Sequence, residues 1–169
     1  VQDMAGHIVA KQRMTANWDI SQAQKSGYPH FMLKEILEQP KALLDTVHPR
    51  VRDGLPSFEA EGLAKGFFAR FQKVYYVACG TAMHAGAVGK SLVEQLARIP
   101  AEVDYASEFR YRNPILTPET LVVLISHSGE TADTLAALRL AKGQGATTLA
   151  IVNVTGSSIA READHVLHT

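Results

Sequence analysis

From residue 73 onward, compact apolar runs alternate with stretches of helical period, and that alternation confines the chain to one broad architecture. The runs are Val74 to Cys79, Ala101 to Tyr105, Leu121 to Ile125, Thr147 to Val152 and a short one from Asp164 to His168. Near-continuous apolar strands fit a sheet covered on both faces, the condition of a parallel sheet. Between the runs lie helical segments at Met83 to Arg98, Thr131 to Lys142 and Ser157 to Glu162, with Gly145 supplying the turn after the second. Parallel strands need crossovers, and right-handed crossovers put helices on both faces. The expectation is a three-layer α/β/α domain over residues 73–169 with a five-stranded parallel sheet of flavodoxin-like kind.

Upstream, the pattern is different. Residues 1–29 carry Asn17-Trp18-Asp19 and close on Ser26-Gly27-Tyr28-Pro29 without a sustained hydrophobic period, which predicts a linker or arm. Trp18 on such an arm is expected to dock on a neighbouring domain. A helix is expected from His30 to Gln39, stopping there because proline disfavours helix in the residue before it, with a second helix from Lys41 to Val47. Residues Ser57 to Phe71 place Phe58, Leu63, Phe67, Phe68 and Phe71 mostly three to five apart, as in a helix with one buried face, although Gly62 and Gly66 weigh against it. The organisation expected is an arm over 1–29, N-terminal helices over 30–72 and the α/β domain over 73–169.

Charge and composition remove several functions. With 17 Lys+Arg against 17 Asp+Glu and no local basic run, nucleic acid is not an expected partner. No apolar run approaches the roughly 20 residues that cross a bilayer, and the first residues lack a basic segment followed by an apolar one, so the expectation is a soluble, cytoplasmic protein. The single Cys79 cannot close an intrachain disulfide, and the seven histidines show no metal-ligand spacing, so no metal site is expected. No G-x-G-x-x-G follows the first strand and no G-x-x-x-x-G-K-[ST] occurs, so neither dinucleotide nor P-loop chemistry is supported. No cofactor is expected. Small molecules and protein surfaces remain.

In an open parallel sheet, ligands gather at the carboxyl ends of the strands. After the first strand comes Cys79-Gly80-Thr81-Ala82, where Gly80 permits a tight turn and Thr81 is a candidate helix cap. After the third comes Ser126-His127-Ser128-Gly129-Glu130-Thr131, with three hydroxyls around a helix start. Free backbone N–H groups, a helix dipole and short hydroxyls converging on one spot make a phosphate-sized anion site. The competing reading is a capping device, with Ser128 as cap and Glu130 in the first turn. A sugar phosphate suits these loops better than flavin, which wants aromatic or apolar walls. Ser157 or Ser158, after the fourth strand, reads first as a cap of the next short helix. Arg110 and Arg112 fit ion pairs at an interface, or packing, ahead of substrate contact.

Ser-x-Ser-Gly-Glu-Thr after an apolar strand resembles the phosphosugar-binding signature of SIS (sugar isomerase) domains. Together with Ala78-Cys79-Gly80-Thr81, Ala106 to Tyr111, Gly156 to Glu162 and Tyr28 to Pro40, it resembles the family of glutamine:fructose-6-phosphate aminotransferases, specifically the linker and first SIS subdomain of their isomerase half. The resemblance implies that Ser126, His127, Ser128 and Thr131 hold the phosphate of fructose 6-phosphate or glucosamine 6-phosphate, with Cys79, Gly80 and Thr81 lining the sugar side. It implies a homodimer. It also implies no catalytic residue within this stretch, because the family's terminal cysteine nucleophile and its isomerase glutamate, lysine and histidine have no counterpart here. His127 stands where the family loop commonly has glutamine, and a protonated imidazole there would make phosphate affinity pH-dependent. Ala82 stands where a serine is common. A phosphosugar-sensing module without catalysis is the alternative, since fold does not fix function.

Overall fold

The structure, a computed structural model, describes residues 2, 4–10 and 24–169. The chain divides into two compact units, Val1–Gln39 and Pro40–Thr169. In the first unit, Gln2 and Ile8 form an isolated antiparallel bridge, and the Tyr28 N–H closes a turn on the Lys25 carbonyl at 2.9 Å. Lys34 is buried and sends its ammonium to the Gln24 carbonyl at 2.7 Å, with Glu38 3.8 Å away. The expectation for Trp18 lies outside the described residues.

The break expected at Pro40 does not occur. A single helix, α1 (Phe31–Val47), runs through it. Proline removes one rung, to the Ile36 carbonyl, but its fixed φ is already helical, and the good helix formers on either side, Leu37, Glu38, Lys41, Ala42 and Leu43, outweigh the loss. The helix expected over Ser57 to Phe71 is also absent. Two single 3₁₀ turns, Glu59–Glu61 and Phe67–Arg70, stand there instead, separated by Gly62 at φ 79° and Gly66 at φ 85°, left-handed conformations that interrupt any helix. Leu63 and Phe71 still reach the interior, and Phe67 meets Phe71 edge to face at 5.4 Å, while Phe68 stays exposed. Before them, β1 (Val51–Arg52) and β2 (Leu55–Pro56) make a small antiparallel hairpin through Asp53 and Gly54, both at positive φ. An Asp-Gly pair suits that turn.

The main sheet consists of β3 (Lys73–Ala78), β4 (Ala101–Tyr105), β5 (Thr120–Ser126), β6 (Thr147–Val152) and β7 (His165–His168). All are parallel, in the order β4-β3-β5-β6-β7. Helices α2 (Thr81–Leu92), α3 (Ala106–Phe109), α4 (Ala132–Gly143) and α5 (Ser158–Glu162) connect them. The two-residue period of each strand feeds two cores. Tyr75, Val77, Val122, Leu124, Ala150 and Val152 face α3, α4 and α5 through Phe109, Leu138 and Ile159. Val74, Leu121, Val123 and Leu149 face the opposite way, onto Leu63, Phe71 and the α2 side. This is the expected three-layer arrangement.

The helix expected over Met83 to Arg98 ends earlier than its sequence period suggests. α2 stops at Leu92, a wider π turn covers Val93–Ala97, and Arg98 takes φ 58° to leave the helix. Lys90 explains the ending, because its ammonium joins Glu94 Oε1 and the Ala101 carbonyl, both at 2.7 Å, and so ties the helix end to the entry of β4.

At the other end of the sheet, Asp164 fastens β7 to β6. Its Oδ2 accepts the Thr148 N–H at 2.9 Å and the Thr148 hydroxyl at 2.7 Å, and Lys142 stands 2.8 Å from Oδ1. Burial pushes the Asp164 carboxyl up, but Lys142 and the Thr148 donors outweigh it and hold the pKa below the ordinary value. A depressed folded-state pKa stabilises the fold above the unfolded value, roughly 4 for aspartate, and that contribution is lost as pH falls through the lower folded value. Asp164→Ala is expected to cost roughly 1 to 3 kcal/mol at neutral pH by orphaning the buried Thr148 donors. Urea titrations at neutral pH and in acid should show the gap between wild type and variant closing in acid; a constant gap would refute the ionic part of the account.

Candidate functional site

The strand order reverses between β3 and β5: the chain leaves β3 for β4 on one side, and later returns to lay β5 on the other. The loops that follow these two strands therefore diverge and leave a crevice at their carboxyl ends. Gly80 turns the first loop at φ 59°, ψ −138°, a conformation for glycine, and delivers the chain into α2. Thr81 is consequently the first helical residue rather than the cap.

The second loop is held by its own hydroxyls. Ser126, buried at the end of β5, accepts the Gly129 N–H at 3.1 Å and shares a hydrogen bond with the Thr131 hydroxyl, also at 3.1 Å. The exposed Ser128 accepts the Glu130 N–H at 3.2 Å. Gly129, at φ 65°, reverses the chain between them. Thr131 occupies the cap position of α4 by backbone conformation, without a side-chain cap bond, so the expected capping role of Ser128 is not observed. The extra turn made by Gly129 puts Ser128 too early in the chain to reach the helix N–H groups. Those of the first turn of α4 have no intrahelical acceptor, and the dipole adds partial positive charge there.

A cleft of about 290 Å³ opens between the two loops, lined by Cys79, Thr81, Ala82, Ile125, Ser126, His127, Ser128 and Thr131. Six of the seven residues singled out in the sequence thus line one cleft, and Gly80 forms the turn between Cys79 and Thr81. None of the eight is Lys, Arg, Asp or Glu, so attraction for an anion comes from hydroxyls, N–H groups and the imidazole. An overlapping cleft of about 260 Å³ extends past His127 to Ile151 and Thr169. His127 is exposed at the mouth, and its carbonyl accepts the Asn153 N–H at 3.2 Å, which anchors its backbone. Cys79 is half-buried and accepts a hydrogen bond from the Thr134 hydroxyl at 3.8 Å.

Thr134 was not expected at the site. It is fully buried on α4, and the signal for it was its spacing: three residues after Thr131, on the same helix face. Glu130 does not lie in the first turn of α4 and does not face the cleft. Its Oε1 accepts the N–H of Ser158, at the start of α5, at 2.8 Å, and the Ser158 hydroxyl first and this N–H second hold the carboxyl below the usual range, with Arg161 adding to the effect. The expected cap of α5 is present only in the backbone: Ser157 holds the cap position, but its hydroxyl makes no cap bond. Arg110 and Arg112 turn to acids of the same chain, Asp133 and Asp104, each at 3.5 Å. Among the described residues, no group of three or more His, Cys, Asp or Glu comes together as a metal set would, and no helix is long and apolar enough to cross a membrane.

Residues 67–169 match the SIS domain family. The glutamine-fructose-6-phosphate aminotransferase (isomerizing) of Clostridium acetobutylicum is 54% identical over 165 residues, 97% of this chain and 27% of that protein. Its namesake in Symbiobacterium thermophilum is 54% identical over 168 residues, 98% of this chain and 28% of the relative. Among solved structures, the C-terminal domain of glucosamine-fructose-6-phosphate aminotransferase from Francisella tularensis superposes with a TM-score of 0.77 at 42% identity, covering 86% of this chain and 41% of that one. The chain therefore spans about a quarter of the length of the curated relatives it matches. Because the family match takes in all five strands and both loops of the crevice, the chain belongs to the SIS domain family.

Proposed function

We propose that this chain is the sugar-phosphate-holding SIS subdomain of an aminotransferase that makes glucosamine 6-phosphate from fructose 6-phosphate and glutamine. The observation that carries the reading is the turn at residues 126–131, where hydroxyls and the start of α4 converge on a cleft at the switch point of the sheet. In this reading Ser126, His127, Ser128 and Thr131 hold the phosphate, and Cys79, Gly80 and Thr81 line the sugar. Close relatives named for the aminotransferase reaction supply the substrate class. Holding the phosphate fixes the open-chain ketose so that ammonia addition and the proton transfer from ketimine to aldose product happen at placed carbons. In this reading the groups that move those protons lie outside these 169 residues, and this stretch by itself binds without turnover. Residues 1–29 serve as the interdomain arm, residues 30–72 as the helical entry to the isomerase half and residues 73–169 as the binding domain; the working form is a cytoplasmic homodimer.

Calorimetric titration tests the reading. Fructose 6-phosphate and inorganic phosphate are expected to bind saturably, and fructose not. Ser128→Ala and Thr131→Ala should each weaken fructose 6-phosphate roughly tenfold, the value of one hydrogen bond to a charged group. Binding that both variants leave unchanged, or no binding of either phosphate, would remove this turn as the anion site.

A further inference from the structure

The acidic residue of the anion turn has a task of its own. Glu130 lies between Ser128 and Thr131, the place where a carboxylate would do most harm to a bound phosphate. Its side chain leaves the cleft and accepts the Ser158 N–H at 2.8 Å. The adjacent Gly129 carbonyl accepts the next N–H, that of Ile159, at 3.0 Å. Two successive N–H groups at the start of α5 are thus satisfied by the anion turn and not by the local cap residue. Ser157, which holds the cap position, has a buried hydroxyl with no hydrogen-bond partner, and that hydroxyl packs where a Cβ on Gly129 would stand. The Arg161 guanidinium, bonded to the Gly156 carbonyl and to the Ser158 hydroxyl at 3.0 Å, adds positive charge on the same side.

Resting on the sugar-phosphate reading of the cleft, we infer that Glu130 is a positioning residue: by capping α5 across the crevice it sets the Gly129 to Thr131 backbone, and with it the hydroxyls and N–H groups that meet the phosphate, while keeping its own charge turned away. The turn is then braced on both sides, by Ser126 from β5 and by α5 through Glu130.

Two measurements on the 169-residue chain decide this. In titrations with fructose 6-phosphate, Glu130→Ala is expected to weaken binding at least tenfold, while Glu130→Gln, whose amide oxygen can still accept the Ser158 N–H, stays within about threefold of wild type. That rescue separates positioning from general damage to the fold, which would not discriminate between the two variants. The second measurement needs no ligand. By NMR-detected hydrogen exchange, the amides of Ser158 and of residues 129–131 should exchange faster in Glu130→Ala, with those of Leu138 and Ala141 in the middle of α4 unchanged. Unaltered exchange at Ser158 and 129–131, or a Glu130→Gln variant as weak as Glu130→Ala, would overturn the inference. Failure of the wild type to bind either phosphate would sink the sugar-phosphate reading instead, and exchange alone would then decide whether Glu130 sets the turn.

Discussion

Replacing Gly129 by alanine is expected to reduce fructose 6-phosphate binding at least a hundredfold and to destabilise the chain by roughly 2 to 4 kcal/mol. Two independent costs meet at this residue. Its φ of 65° is left-handed, where an added Cβ costs about 1 to 2 kcal/mol. That Cβ would also stand 2.0 Å from the Ser157 hydroxyl oxygen and 2.5 Å from its Cβ, so either α5 retreats or the anion turn opens. Either movement breaks the bonds from Ser158 to Glu130 and from Ile159 to Gly129, and displaces the N–H that Ser126 accepts. The double variant Gly129→Ala with Ser157→Gly removes the collision and leaves only the backbone cost, so it should recover about half of the lost stability. Chemical denaturation of the three proteins checks the arithmetic. A single variant that binds like wild type would show that the turn tolerates a rearrangement this packing forbids.

How legible these features were in the sequence depended on how local their causes are. The three central strands, β3, β5 and β6, could be read because each is a largely apolar run whose burial on two faces leaves little else for it to form, and the edge strands β4 and β7 followed from their place after helical periods. The crevice followed from strand order, and the pocket side chains from the hydroxyl-rich turns after two of the strands. Elements whose shape depends on one backbone conformation were read less well. Apolar spacing across Ser57 to Phe71 suggested a helix, but Gly62 and Gly66 adopt positive φ, and Leu63, Phe67 and Phe71 turn inward by a different route that leaves Phe68 exposed. Pro40 illustrates the opposite error, a local breaker overruled by helix formers on both sides.

Within the candidate site, residue types suggested a turn suited to an anion without showing what shapes it. Ser128 as a cap was a sound expectation from residue type, but a cap is a geometric relation, and the reversal at Gly129 moves the helix start to Ala132. The dipole role expected of Glu130 exists, although the helix it serves is α5, whose partnership 28 residues further along the chain has no sequence signature. Thr134 and Ile125 similarly enter the site through packing between layers.

Phe109→Ala is expected to cost about 3 to 5 kcal/mol, a large share of the roughly 5 to 15 kcal/mol that holds a domain folded. Phe109 ends the four-residue α3, is wholly buried, and meets the Tyr75 ring edge to face at 5.5 Å on the same face of the sheet. Truncation leaves a cavity against β3 in the closely packed core shared with Leu138 and Val122, and a short helix cannot collapse into it without withdrawing from α4. The consequence reaches the cleft, because Arg110, the next residue, pairs with Asp133 in the first turn of α4, one residue beyond the start of the helix that follows the 126–131 turn. Phe109→Leu refills much of the volume and should lose about 1.5 kcal/mol or less. Arg110→Ala removes only a half-exposed pair and should lose under about 1 kcal/mol. Thermal unfolding separates the contributions: the alanine variant at 109 should melt on the order of 10 °C lower, with Phe109→Leu and Arg110→Ala within a few degrees of wild type. If Arg110→Ala instead matched Phe109→Ala, the ion pair and not the buried ring would be what seats α3 against α4.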